Sequence, residues 1–318
     1  MRSFLSAAAF VLSLIAAAEA QQPGSAKPNY VSTLFELQLD PPGWKKLFEI
    51  PEFRICGSLR MDPDGDSILF DGYKAQQGAT MVDTRLLHYS LDGTLREDLG
   101  PGTMPTRSPD GRRICYSAYH DRGVWIMDSD GRNARKLDAD GWGVQWSPVS
   151  PSEVAYTKRS AVVIHNVDSG KVRDVFPGGA SPYQLIHYNF AWSPDGRRIA
   201  FLGEQAGAGR ELAVVDSQGA EFGYKVHLRT RPSAALTWFA DGNRLAFPIK
   251  TEAGWYEIHQ LDLTTNAVAS TLIPGQPTDR NRISVCSHPD GKRLIVLSYE
   301  MKDPATGKTY IPPATAQP

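Results

Sequence analysis

One short phrase recurs six times along the chain: a tight turn built on Pro-Asp-Gly, followed by a β-rich run that closes on an apolar or aromatic residue. The copies begin at Asp62-Pro63-Asp64-Gly65, Ser108-Pro109-Asp110-Gly111, Ser147-Pro148, Ser193-Pro194-Asp195-Gly196, Ala240-Asp241-Gly242 and Pro289-Asp290-Gly291. From one proline position to the next, with Ala240 standing in the fifth, the spacings are 46, 39, 46, 46 and 49 residues. Proline presets φ for the first central position of a β-turn, and Asp-Gly supplies the polar and conformationally permissive positions after it. A period in the forties with four short strands per unit is the pattern of a β-propeller blade. The sequence therefore predicts an all-β chain forming a six-bladed β-propeller of four-stranded blades.

Each unit predicts an innermost strand, ending near Trp146, Trp192 or Trp238 in three of them, then the turn, then a second strand. Third strands follow at Leu86–Tyr89, Val124–Met127, Val162–His165, Leu212–Val215 and Tyr256–Leu261. The tryptophans, two residues before the proline position, are expected to fill the gaps between blades. The sixth unit runs out of strands after Ser298. Two strand-like segments, Thr33–Leu39 and Trp44–Ile50, precede the first unit and have no home there. They are predicted to be the third and fourth strands of the last blade, closing the ring and removing open sheet edges.

At the N-terminus, Arg2 precedes an almost wholly apolar run from Phe4 to Ala18, and Ala18-Glu19-Ala20 fits a small-x-small cleavage pattern. Residues 1–20 read as a signal peptide, 21–29 as a flexible leader, 30–300 as the propeller and 301–318 as a flexible tail. The apolar run is shorter than the roughly 20 residues that span a bilayer, so no stable membrane span is expected after cleavage. This points to a periplasmic or secreted protein. A formal charge of −1 lacks the basic excess of a nucleic-acid binder. Three cysteines, Cys56, Cys115 and Cys286, cannot all pair with one another and read as structural thiols. A monomer is expected.

The stretch Ser193-Pro194-Asp195-Gly196-Arg197-Arg198-Ile199-Ala200-Phe201 resembles the WD40-like (PD40) repeat of TolB-type propellers. The likeness runs along the whole mature chain and is strongest at the turns. It implies an exported protein that binds another macromolecule at the mouth of its ring. TolB also carries an α/β domain ahead of its propeller, whereas only some 40 residues separate the predicted signal from the first turn here.

Several motifs suggest chemistry and are better read as turns. Gly65-Asp66-Ser67 resembles the nucleophile motif of some esterases, yet Ser67 stands where Arg113, Arg198, Arg244 and Arg293 stand in other units. Asp62, Asp64 and Asp66 alternate as calcium ligands do, without the glycine and distal glutamate of an EF-hand loop. No histidine pair has a metal-ligand spacing, so no metal and no cofactor is expected.

Propeller topology gathers two kinds of loop on one face: connections between blades, and hairpins between second and third strands. That reading places Arg54, Arg107, Tyr119, His120, Trp142, Tyr183, His187, Tyr188, Arg280 and Arg282 at the mouth. Arg122, Arg159, Glu204, Arg210 and Trp255 fall in the same hairpins. Aromatics and arginines are enriched at binding hot spots. The function expected is non-catalytic binding of a protein or cell-envelope component, with no nucleic-acid partner. The alternative is a carbohydrate lyase or hydrolase with a metal-assisted site built around His187 and His120.

Overall fold

The computed structural model describes residues 29–74, 80–158, 160–176, 181–207, 209–218, 224–228, 235–252, 256–265, 269–277 and 281–302. The proposed signal and leader up to residue 28, Arg159, Trp255, Arg280 and the tail from 303 lie outside the described residues. The chain enters on β1 (Asn29–Leu39) and β2 (Pro42–Ile50), which pair antiparallel. The first blade is β3 (Phe53–Met61), β4 (Ser67–Lys74), β5 (Arg85–Ser90) and β6 (Leu95–Pro101). The second is β7 (Thr103–Arg107), β8 (Arg113–Ala118), β9 (Gly123–Asp128) and β10 (Arg135–Asp138). The third is β11 (Gly141–Trp146), β12 (Glu153–Lys158), β13 (Ala161–Asn166) and β14 (Val172–Asp174).

In the fourth blade the innermost strand is split into β15 (Leu185–Ile186) and β16 (Ala191–Trp192), both pairing β17 (Arg198–Gln205), followed by β18 (Gly209–Asp216) and β19 (Tyr224–Leu228). The fifth is β20 (Thr237–Trp238), β21 (Arg244–Lys250), β22 (Tyr256–Asp262) and β23 (Thr271–Leu272). The sixth blade begins with β24 (Asn281–Ser287) and β25 (Arg293–Lys302), and is completed by β1 and β2 in the order β2-β1-β25-β24. Six antiparallel blades therefore form the ring, and N-terminal strands close it as the sequence predicts.

The repeated turn is held by its own side chains. Ser108 Oγ donates to Asp110 Oδ1 at 2.6 Å and accepts from Arg113 N at 3.0 Å, and Ser193, Asp195 and Arg198 repeat the arrangement at 2.6 and 2.9 Å. The core lies between blades. Trp146 packs with Cys115, Val124 and Ile126 of the second blade and Val154 and Tyr156 of the third. Trp192 fills the next seam and Trp238 the one after. All three cysteines are free and buried. Burial raises the Cys286 thiol to about 12, which keeps it protonated and inert.

Around the axis, the innermost strands are bulged at mid-height. Register shifts fall between Gly57 and Arg60, Thr103 and Thr106, and Trp142 and Gln145. A residue with positive φ marks each one: Ser58 at 53°, Met104 at 54° and Gly143 at 68°. The second and third of these bulges each turn a backbone N–H toward the preceding blade, where a side chain receives it. Asp71 accepts from Met104 N at 2.7 Å and Ser117 Oγ from Gly143 N at 3.0 Å. Gly143 permits more than its φ, because a Cβ there would lie 2.3 Å from Tyr188 Cβ.

Candidate functional site

The ring has two distinct faces. The Pro-Asp-Gly turns line one, the turn face. The connections between blades and the second-to-third-strand hairpins line the other, the mouth.

Three blades contribute to a cluster at the mouth. Tyr119 leaves the end of β8, and its ring meets the Trp142 ring edge-on at 4.9 Å between centroids. Arg122, from the same hairpin as Tyr119, lays its guanidinium 4.7 Å from the Trp142 ring centre, a cation–π contact. Tyr188 descends from the bulge between β15 and β16 and rests against Gly143, one residue beyond Trp142. Burial, with the Asp71 carboxylate nearby, raises the Tyr188 phenol to about 12. Tyr119 is raised too, by burial first and then by Tyr188 and Asp71. Three residues read from the sequence as mouth residues, Tyr119, Trp142 and Tyr188, are thus brought together. His120 is exposed beside them. Arg54 and Arg282 sit near the mouth ends of β3 and β24.

A second group lies on the fourth blade. His187 Nε2 is 2.9 Å from Glu204 Oε1, which also accepts from Arg210 Nη2 at 3.0 Å. His187 is buried, and that burial, with the Arg210 charge behind it, lowers its pKa below the ordinary histidine value. The neutral imidazole then presents its Nε2–H to Glu204, whose own pKa is lowered by His187 and Arg210 against the opposing effect of burial.

Two residues are not where the sequence reading put them. Arg107 ends β7 at the turn face, and its Nε donates to Asp62 Oδ2 at 3.0 Å. Its position one residue before Ser108-Pro109 was the available signal: an innermost strand meets the turn face at its C-terminal end. Tyr183 is core rather than mouth surface. It is 3% exposed, its ring lies 5.2 Å from that of Phe201, and its hydroxyl reaches Glu211 at 3.4 Å.

The motifs read as turns are turns. Ser67 Oγ is buried and donates to Asp64 Oδ2 at 2.8 Å, with Asp62 Oδ2 at 3.1 Å. His88 Nε2 is 3.0 Å from that same Asp62 oxygen, so the carboxylate stands between serine and imidazole. A serine nucleophile needs the imidazole in the middle. Asp64 accepts the backbone N–H groups of Asp66 and Ser67 at 2.9 and 3.0 Å, as a turn residue does. Among the described residues no group of three or more His, Cys, Asp or Glu side chains is arranged to hold a metal ion. The sequence reading missed Arg60, on the innermost strand β3, and Asp71, buried on β4 beside it. Nothing in a linear pattern separates them from ordinary strand residues.

No protein-family model matches the chain, and no curated protein sequence does. Solved structures do. A TolB-type protein of Agrobacterium tumefaciens superposes with a TM-score of 0.62 at 17% identity, covering 85% of this chain and 98% of that one. TolB of Acinetobacter baumannii gives 0.57 at 14% identity, covering 94% of this chain and 71% of the other. A chain of the nidogen–laminin complex gives 0.55 at 16% identity, covering 84% and 98%. At such identities the likeness establishes a TolB-like propeller fold.

Proposed function

We propose that this chain is an exported, non-catalytic propeller that binds a protein or cell-envelope component through its mouth. The observation that carries the reading is the cluster of Tyr119, Arg122, Trp142 and Tyr188, assembled from three blades. Rigid aromatics with an arginine stacked on them are what hot spots are made of, and a closed ring holds them at low entropic cost. Two of the similar structures are TolB proteins and one is a protein complex, in keeping with a binding role. Among the described residues no helix is long and apolar enough to cross a membrane. The N-terminal apolar run followed by Ala18-Glu19-Ala20 supports export, with a mature N-terminus at Gln21.

Crosslinking capture from the native cell envelope tests the reading. Wild-type protein is compared with a Tyr119→Ala, Arg122→Ala, Tyr188→Ala triple variant of matched melting temperature. A partner captured by wild type and lost from the variant is the expected result. An identical capture profile for the two removes the mouth as the binding surface. Mass analysis of the exported protein is expected to show Gln21 first, and an intact Met1 in the envelope fraction would overturn cleavage.

A further inference from the structure

Arg60 is a cation in an unusual place. It lies on β3, opposite Leu69 and nearer the turn face than the mouth. It is only partly exposed and lies on the innermost strand of its blade, the strand that borders the central channel. Its Nη1 donates to the neighbouring carbonyl of Leu59 at 2.7 Å. Among the described residues no carboxylate lies within ion-pair distance of its guanidinium. A guanidinium taken partly out of water without a carboxylate partner is costly, and binding sites for anions are a recurrent reason to keep one.

Asp71 is near enough to be felt electrostatically but makes no ion pair with it. That carboxylate is occupied by Thr103 Oγ1 at 2.6 Å, by Met104 N at 2.7 Å and by the Ser58 side chain. Two of these donors are set by bulges whose φ values of 53° and 54° are unfavourable for Ser58 and Met104. The folded chain thus sustains strain that leaves Asp71 saturated and the Arg60 fork open. Toward the mouth, the Tyr119 and Tyr188 hydroxyls make no hydrogen bond to the protein among the described residues, and neither is sealed from solvent. Both are groups able to donate to an oxygen anion or a carbonyl.

We infer that the channel receives a carboxylate, which enters past Tyr119 and Tyr188 and is bound by the Arg60 guanidinium. Planar two-point pairing with carboxylate is what the free edge of an arginine offers. Counted from Phe53 at the mouth end, Arg60 is seven residues down the strand, about 20 Å at strand rise. A reach of that length suits a chain end or a small free carboxylate better than the side chains of a bulky partner. The inference rests on the mouth reading for the route of entry and adds the chemistry of what enters.

The probe is a degenerate pool of acetylated pentapeptides, prepared once as free acids and once as amides, with N-acetylglycine as the small carboxylate. Each is passed over immobilised mature protein, and retention is read by mass spectrometry. Wild type is expected to retain the acid pool at least tenfold over the amide pool. Arg60→Gln should bring that ratio to about one, and Arg60→Lys should restore part of it. Tyr188→Phe should weaken retention of acids several-fold. N-acetylglycine competing at equal concentration would assign the site to a free carboxylate, and failure to compete would assign it to a peptide end. Equal retention of acids and amides by wild type, or retention of neither, overturns the carboxylate. Loss of the crosslinked partner from the mouth variant would still stand in that event, so the two readings fail separately. If Arg60→Gln does not fold, the acid-to-amide ratio on wild type and Arg60→Lys alone decides.

Discussion

At the scale of single residues, His187 shows how burial sets a charge. Its imidazole is held neutral because desolvation, aided by Arg210, outweighs the attraction of Glu204. His165 and His259 are lowered by burial as well. A histidine whose folded pKa lies below its unfolded value of about 6.5 contributes stability that is fully present above that value. The contribution is lost as pH falls through the depressed folded pKa, because the unfolded chain then binds more protons. Wild type should therefore lose melting temperature as pH falls from about 7.5 to about 5. His187→Gln keeps a donor for Glu204 and never takes a charge, so its melting temperature should fall less steeply over the same interval. Asp71 and Asp174, whose pKa values burial raises, act in the opposite sense and are common to both proteins. Parallel curves for the two proteins would show that His187 is not held neutral by the fold. The residue scale is also where the sequence was least legible. Tyr119, Trp142 and Tyr188 could be assigned to one face because they lie in or beside loops that topology collects. Arg60 and Asp71 could not, since their roles come from bulges that no turn residue announces.

Elements were far more legible, because the strongest local signals in the chain are the ones that build them. Pro-Asp-Gly turns fix where first strands end and second strands begin, and a third strand follows within each unit. What the pattern left out is interruption: the innermost strand of the fourth blade breaks into β15 and β16, and the loop between them lowers Tyr188 onto Gly143. The seams between blades rest on the tryptophans that precede the turns. Trp146 is 5% exposed, its Nε1 donates to the Ser150 carbonyl at 3.0 Å, and the Arg113 guanidinium covers its ring at 5.4 Å. Arg113 extends from the second blade to the Pro151 carbonyl of the third at 2.6 Å, so one residue of each blade clamps the other. Trp146→Ala should cost about 3–5 kcal/mol, the usual range for removing a buried large aromatic. Urea unfolding checks this, and a loss below about 1 kcal/mol would mean that the seam repacks around the gap.

At the scale of the whole molecule, the ring is closed by strands from the two ends of the chain. Leu34 and Leu37 of β1 are fully buried, and Arg293 of β25 pairs with Glu36 of β1 at 2.7 Å. Register runs unbroken from Asn29 opposite Lys302 to Gln38 opposite Arg293. Without β1 and β2 the sixth blade would present β25 as a long open edge, and the first blade would lose Phe48, which packs against Gly93 and Tyr89. An exposed edge of that length is a template for pairing between molecules. A chain beginning at residue 52 should therefore lack the cooperative melt of the full protein and associate during size-exclusion chromatography with light scattering. A synthetic peptide of residues 29–50, added in trans, should return it to a monomer, because the pairing it supplies is local to one edge. The mouth provides the link to function. Every loop of the Tyr119, Trp142 and Tyr188 cluster is anchored on blades two to four, away from the closure seam, yet their spacing depends on a ring that cannot open. The opened chain should thus lose mouth-dependent capture and regain it with the peptide. A truncated protein that stays monomeric, melts cooperatively and still captures its partner would mean that five blades alone hold the mouth in shape.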